Sequence, residues 1–132
     1  MAEALREVAL ANKYGFMLIA DEVMCGFGRT GKTFATEHDD VVPDMLVLAK
    51  GLTCGYVPLG AVVVRQDIHD TFMEAGGPEH MVEFPHGYTY SAHPVACAAA
   101  LENIRIIEEE KLVDRVANET GPYLKQQFAT LA

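Results

Sequence analysis

An α/β fold is predicted by three features of the chain. Two apolar runs, Phe16-Met17-Leu18-Ile19-Ala20 and Met45-Leu46-Val47-Leu48-Ala49, have the length of buried strands, and each stops on ionisable residues, Asp21-Glu22 and Lys50. A β-branched run, Gly60-Ala61-Val62-Val63-Val64-Arg65, reads as a third strand. Helical periodicity precedes the first run and returns after Pro94, so helices and strands alternate.

Ala2 to Tyr14 is expected to be an amphipathic helix with Leu5, Val8, Ala9 and Ala11 inward, stopped by Gly15. Phe16 to Glu22 forms the first strand, and Gly26 to Gly31 a glycine-rich loop. Glu37 to Pro43 is a loop or short turn, and Asp44 to Ala49 is the second strand. After the third strand, Asp67 can cap a short helix running through Met73. Ala75 to Gly87, rich in glycine and proline, reads as an irregular loop. Pro94 is placed where proline is tolerated, in the first turn of a long helix reaching about Glu110. Lys111 to Leu131 is a last helix that Gly121-Pro122 should kink or split. The chain shows no internal repeat, linker or low-complexity tract.

Composition sets limits on function. The chain has 132 residues, 50% of them hydrophobic, which is enough for one domain with a core. Its 10 Lys and Arg stand against 19 Asp and Glu, a net charge of −9 that argues against a nucleic-acid or anionic-membrane surface. Cys25, Cys54 and Cys97 are far apart with no C-x-x-C pair, so neither a disulfide framework nor a zinc site is implied; reduced thiols in a cytoplasmic setting are expected. No apolar stretch approaches the roughly 18 residues a membrane span needs. The acidic, helix-like N-terminus is unlike a signal peptide.

Lys50 is the residue with the strongest chemical content. An ammonium taken out of water costs several kcal/mol unless it is paired or deprotonated. A strand-end lysine can avoid this by snorkelling to water. It can also serve as a neutral amine or an imine, the form that Schiff-base chemistry uses. Strands that deliver an amine and a carboxylate, Lys50 and Asp21, to their carboxyl ends describe an open α/β active site. That pair suits pyridoxal phosphate, whose aldehyde condenses with lysine while a carboxylate keeps the ring nitrogen protonated.

A second motif competes. Gly26-Phe27-Gly28-Arg29-Thr30-Gly31-Lys32-Thr33 satisfies both G-x-G-x-x-G and G-x-x-x-x-G-K-[ST], and it follows a strand. A phosphate loop needs backbone N–H groups feeding directly into a helix. Here Thr33 to Thr36 leads through Glu37, Asp39 and Asp40 to Pro43, leaving little room for one, which favours a plain glycine-rich turn with a basic tip.

Asp21-Glu22-Val23, Gly26-Phe27-Gly28-Arg29-Thr30-Gly31, Pro43-Asp44, Ala49-Lys50-Gly51-Leu52, Pro58-Leu59-Gly60-Ala61 and His86-Gly87-Tyr88-Thr89-Tyr90-Ser91 occur in this order. On these motifs the chain resembles a class III pyridoxal-phosphate-dependent aminotransferase of the fold-type-I superfamily, from about Gly15 to Leu101, with weaker helical similarity at both ends. The resemblance implies part of the large domain of that fold, a mostly parallel sheet flanked by helices, ending in helices that lead to the small domain. Residues 1–110 would be the lysine-bearing portion of the cofactor-binding large domain, and 111–132 the helix leading into the C-terminal small domain.

The resemblance also implies roles. Lys50 would hold the cofactor as a Schiff base and later move the substrate proton. Asp21 would bond the pyridine nitrogen, and Val23 would pack on a ring face. Tyr88 and Thr89 would reach the cofactor phosphate of a neighbouring subunit, so that the site is shared across a homodimer. His86 and His93 are read as structural, since no second ligand lies at metal spacing. Ala92 stands where the family often has glycine, and Cys25 and Cys54 replace small or polar residues. No counterpart is found for the upstream glycine-serine phosphate turn, the ring-stacking aromatic or the downstream arginine that grips a carboxylate, so an internal segment is expected. Ile68 to Met73 and His86 to Pro94 look most like the branch that moves amino groups from ω-amino acids, β-alanine or amines to pyruvate. Three readings stand: an aminotransferase, a phosphate-loop nucleotide binder that would depend on Lys32 rather than Lys50, and a non-catalytic fragment.

Overall fold

In the computed structural model, which describes residues 2–77, 79 and 84–131, the apolar and β-branched runs pair into a three-stranded sheet. β1 (Ile19–Asp21) lies parallel to β2 (Met45–Leu48), with Asp21 opposite Val47. β3 (Ala61–Val64) runs antiparallel to β2, with Leu48 opposite Ala61, giving the order β1-β2-β3. Within the described residues the sheet is therefore mixed rather than mostly parallel. The link from β2 to β3 carries only the 3₁₀ turn Lys50–Leu52 and no α-helix of the kind that usually spans a parallel return.

The expected first strand, Phe16 to Glu22, is shortened to Ile19–Asp21 for a local reason. Helix α1 (Ala2–Tyr14) ends with Gly15 at φ +69°, and the Phe16 N–H reaches back to the Ala11 carbonyl at 3.0 Å, which closes a Schellman-type cap. Phe16 thus belongs to the helix terminus. Leu18 then donates its N–H to Asp44 Oδ2 at 2.6 Å, so a side chain occupies the first rung of the ladder. Of the α1 residues expected inward, Ala11 is buried and Val8 half-buried, while Leu5 and Ala9 are exposed.

Helix α2 (Gln66–Ala75) begins two residues earlier than expected, with Arg65 rather than Asp67 at its N-cap. Asp67 instead pairs with Arg65, which also meets Asp44 at 2.5 Å. The irregular loop expected over 75–87 falls partly outside the described residues; Ala75 closes α2 and Gly76 caps it at φ +68°. Helix α3 (Pro94–Glu109) starts with proline at its first position, as its sequence predicts. The last helix is split. α4 (Leu112–Arg115) runs into a wider π-turn over Val116–Thr120, and α5 (Gly121–Ala129) continues from there. Pro122 lacks the N–H that an unbroken α-helix would use at that point.

The described core is small: Ala11, Leu48, Leu52, Ile68, Ala96 and Ala100, with Glu22 and Thr53 as buried polar residues. Much apolar surface is uncovered, including Phe16, Met17 and Ile19 ahead of the site and Val62 and Val63 on β3. Strands of this kind require cover on both faces.

Candidate active site

The site forms where β1 and β2 end side by side. Beyond Leu48 the chain leaves the sheet, and Lys50 opens a tight 3₁₀ turn, Lys50–Leu52, at φ +43°. Leu52 N–H to Ala49 carbonyl at 3.0 Å and Thr53 N–H to Lys50 carbonyl at 3.3 Å close that turn. Leu52 and Thr53 are buried beneath it, and the Thr53 hydroxyl donates to the Val57 carbonyl at 2.6 Å. From helix α3, the Asn103 amide nitrogen donates to the carbonyls of Gly51 and Leu52 at 2.8 and 3.2 Å. The exposed Lys50 Nζ lies 2.6 Å from Met24 Sδ, so it points across to the segment that follows β1.

That segment carries the carboxylate. Asp21 is the exposed last residue of β1, and its Oδ1 accepts the Val23 N–H at 3.0 Å, an Asx-type turn that orients the side chain at the strand end. Val23 is half-buried beside it. Successive strand residues face opposite ways, and Glu22 accordingly turns inward, 2% exposed, with Oε1 accepting the Thr36 N–H at 2.8 Å. Glu22 Oε2 is buried without a partner. The Glu22 carbonyl accepts the Gly26 N–H at 2.8 Å, and its own N–H bonds the Val47 carbonyl at 3.0 Å. Glu22 therefore ties β1, β2 and the glycine loop into one unit under Asp21.

Lys50, Met24, Val23 and Asp21 are brought to one edge of the sheet. Tyr88 and Thr89 are not part of that group. They form an exposed turn in which Tyr88 and Ser91 exchange two hydrogen bonds of 2.9 Å. His86 and His93 pack edge-on against Tyr88 and Tyr90. Ala92 and Cys54, two of the departures noted in the sequence, have φ of +56° and +52°. Both occupy the left-handed region where glycine carries no steric cost.

The glycine loop is not followed by an α-helix. Residues 26–34 turn and pass into a 3₁₀ turn, Ala35–Asp39. A Cβ on Gly28 would meet Val113 Cγ2 at 3.1 Å, and one on Gly31 would meet Ala117 Cα at 2.9 Å. These glycines allow the last helix to approach the loop, and the helix N-terminus that a phosphate loop requires is absent there. Among the described residues no group of three or more His, Cys, Asp or Glu could hold a metal ion. No helix among them is long and apolar enough to cross a membrane.

Sequence reasoning missed Met24, Glu22 and Asn103. The signal for Asn103 was present: it is a polar residue on the helical stripe that contains Ala96, Ala100 and Ile104. The donor set at the edge, a primary amine and a carboxylate from adjacent parallel strands, fits a cofactor that presents an aldehyde and a basic ring nitrogen.

Comparison with known proteins points the same way. The family model described as aminotransferase class-III matches residues 2–132. The putrescine–pyruvate aminotransferase of Pseudomonas aeruginosa is 52% identical over 120 residues, 91% of this chain and 25% of that protein. The omega-amino acid–pyruvate aminotransferase of Pseudomonas putida is 46% identical over 92% of this chain and 27% of its own length. The structure of taurine:2-oxoglutarate aminotransferase from Bifidobacterium kashiwanohense, in complex with PLP and glutamate, matches with a TM-score of 0.83 at 46% identity. It covers 93% of this chain and 26% of that one. The chain thus spans about a quarter of the length of these relatives.

Proposed function

The chain belongs to the class-III aminotransferase family, which is pyridoxal-phosphate-dependent, and from that premise we propose that it serves transamination, moving an amino group from an amine or ω-amino acid to a keto acid such as pyruvate. The observation that carries this reading is the amine of Lys50 and the carboxylate of Asp21 at the ends of adjacent parallel strands, with Nζ turned toward the Asp21 side. The names of the relatives support the choice of substrates.

When bound, pyridoxal phosphate supplies an aldehyde for an amine and a protonated ring that takes up electrons from the substrate carbon. Lys50 would hold the cofactor through its amine, and its Nζ, when free, would take and return the substrate proton. Asp21 places a negative charge that favours protonation of a ring nitrogen. Val23, half-buried beside Asp21, would pack against one face of the cofactor ring. Tyr88 and Thr89, in an exposed turn, would serve the cofactor phosphate of a second subunit in a homodimer. In this proposal residues 1–110 belong to the cofactor-binding large domain, in which the sheet continues as a mostly parallel one, and 111–132 lead toward the small domain of a cytoplasmic enzyme.

The test is covalent trapping. Borohydride added to the chain with pyridoxal phosphate should fix the cofactor on Lys50, located by peptide mass, and Lys50→Ala should abolish this. Lys32→Ala should leave it unchanged. Loss of trapping on Lys32→Ala alone would move the site to the glycine loop and overturn the assignment.

A further inference from the structure

We propose that Asn103 is the positioning residue for Lys50, acting through the backbone of the turn that presents its amine. The inference rests on the reading of Lys50 as the cofactor-bearing residue.

Lys50 holds φ +43°, a left-handed conformation that is unfavourable for a residue with a Cβ and persists only where the surroundings enforce it. In this conformation Nζ lies 2.6 Å from Met24 Sδ, on the segment that follows Asp21. The two bonds inside the turn close it but use the carbonyls of Ala49 and Lys50, leaving those of Gly51 and Leu52 to be satisfied from elsewhere. The Asn103 amide nitrogen supplies both, one N–H to each carbonyl, from a helix 52 positions along the chain from Gly51.

Its location shows that this is a dedicated arrangement. Asn103 is on the face of α3 that carries the buried Ala96 and Ala100, where an amide is costly unless it is bonded. Leu52, the buried last residue of the turn, belongs to the element that meets α3. Gly51 is restricted from the other side, since a Cβ there would meet Phe27 Cβ at 3.1 Å. The turn is gripped between the glycine loop and α3, and Asn103 is the polar half of that grip.

Replacing Asn103 by leucine keeps similar bulk but leaves both carbonyls unpaired, so the turn relaxes and Lys50 leaves its strained conformation. The experiment measures the rate at which borohydride traps pyridoxal phosphate on each lysine of the full chain. In this reaction the amine and aldehyde condense with loss of water, and hydride reduces the C=N bond to a secondary amine. Peptide masses separate Lys50 from Lys32 and Lys125, which serve as references in the same sample. Asn103→Leu should slow trapping at Lys50 about tenfold, the population factor that a left-handed residue costs, with Lys32 and Lys125 unchanged. Asn103→Gln, which keeps the amide on a longer stem, should recover part of the rate.

Unchanged trapping at Lys50 in Asn103→Leu would overturn the inference, as would equal slowing at Lys50, Lys32 and Lys125, because the effect would then not be specific to the lysine turn. No recovery in Asn103→Gln would also count against it. A wild-type chain that shows no preference for Lys50 over Lys32 would overturn the functional reading itself, and this inference with it.

Discussion

Alanine substitution at two glycines separates the structural role of the glycine loop from a phosphate-binding one. Gly76 and Gly31 both have positive φ, +68° and +84°. They differ in what surrounds them: a Cβ on Gly76 has nothing within 4 Å among the described residues, whereas one on Gly31 meets Ala117 Cα at 2.9 Å and Ala117 N at 3.2 Å. The left-handed conformation costs an alanine about 1–2 kcal/mol. Restriction of the unfolded chain returns about 0.4–1 kcal/mol of that, so Gly76→Ala should destabilise by about 1 kcal/mol. Gly31→Ala carries the same strain plus an overlap with helix backbone that cannot swing aside, worth about 1–3 kcal/mol by analogy with overpacked cores. The expected total is about 2–4 kcal/mol. Urea unfolding followed by far-UV circular dichroism measures both, with midpoints compared at a common slope. Equal midpoints for the two variants would refute the packed-turn argument. A wild-type midpoint that rises with added ATP would restore the nucleotide reading, since a ligand that binds the native state stabilises it.

Two further outcomes follow from the site. Asp21→Asn in the assembled enzyme should retain cofactor but lose orders of magnitude in turnover, because the neutral amide no longer favours a protonated ring nitrogen; near-normal turnover in a steady-state assay would remove Asp21 from the site. The 132-residue chain alone should form little or no alanine from an amine and pyruvate and should self-associate in sedimentation, because catalysis needs the cofactor held on several sides and the sheet faces are uncovered. Rapid alanine formation by a monomer would show that this segment is self-sufficient.

What the sequence made legible was set by side-chain pattern. Met45 to Leu48 reads as a strand because its apolar run is bounded by Asp44 and Lys50, and Pro94 marks a helix start because a missing N–H costs nothing there. The same pattern misled at Phe16, whose hydrophobicity suits a strand although the Schellman cap at Gly15 claims its N–H. The direction of β3 was hidden for a related reason. Ala61-Val62-Val63-Val64 is equally good as a parallel or an antiparallel strand, and only the length and course of the link from Leu48 decide between them. Asp67 looked like a cap because its type is right, but Arg65 on one side draws its carboxylate into an ion pair.

The candidate site was legible in its ionisable residues, and the backbone that brings them to one edge was not. Lys50 and Asp21 announce themselves because charge at the end of an apolar run demands a reason. What puts them at one edge is a set of conformations that residue type does not disclose: Phe27, Lys50 and Cys54 at φ of +58°, +43° and +52°. Each is a non-glycine residue in the left-handed region, and each belongs to the glycine loop or to the segment around the lysine turn. Strain of this kind survives only where packing and hydrogen bonds outweigh it, and here those come from distant positions, Asn103 on α3 and the helix seated on Gly28 and Gly31. A pattern read along the chain finds the amine and the carboxylate. The turn that aims one toward the other exists only because helices far along the chain fold back onto it.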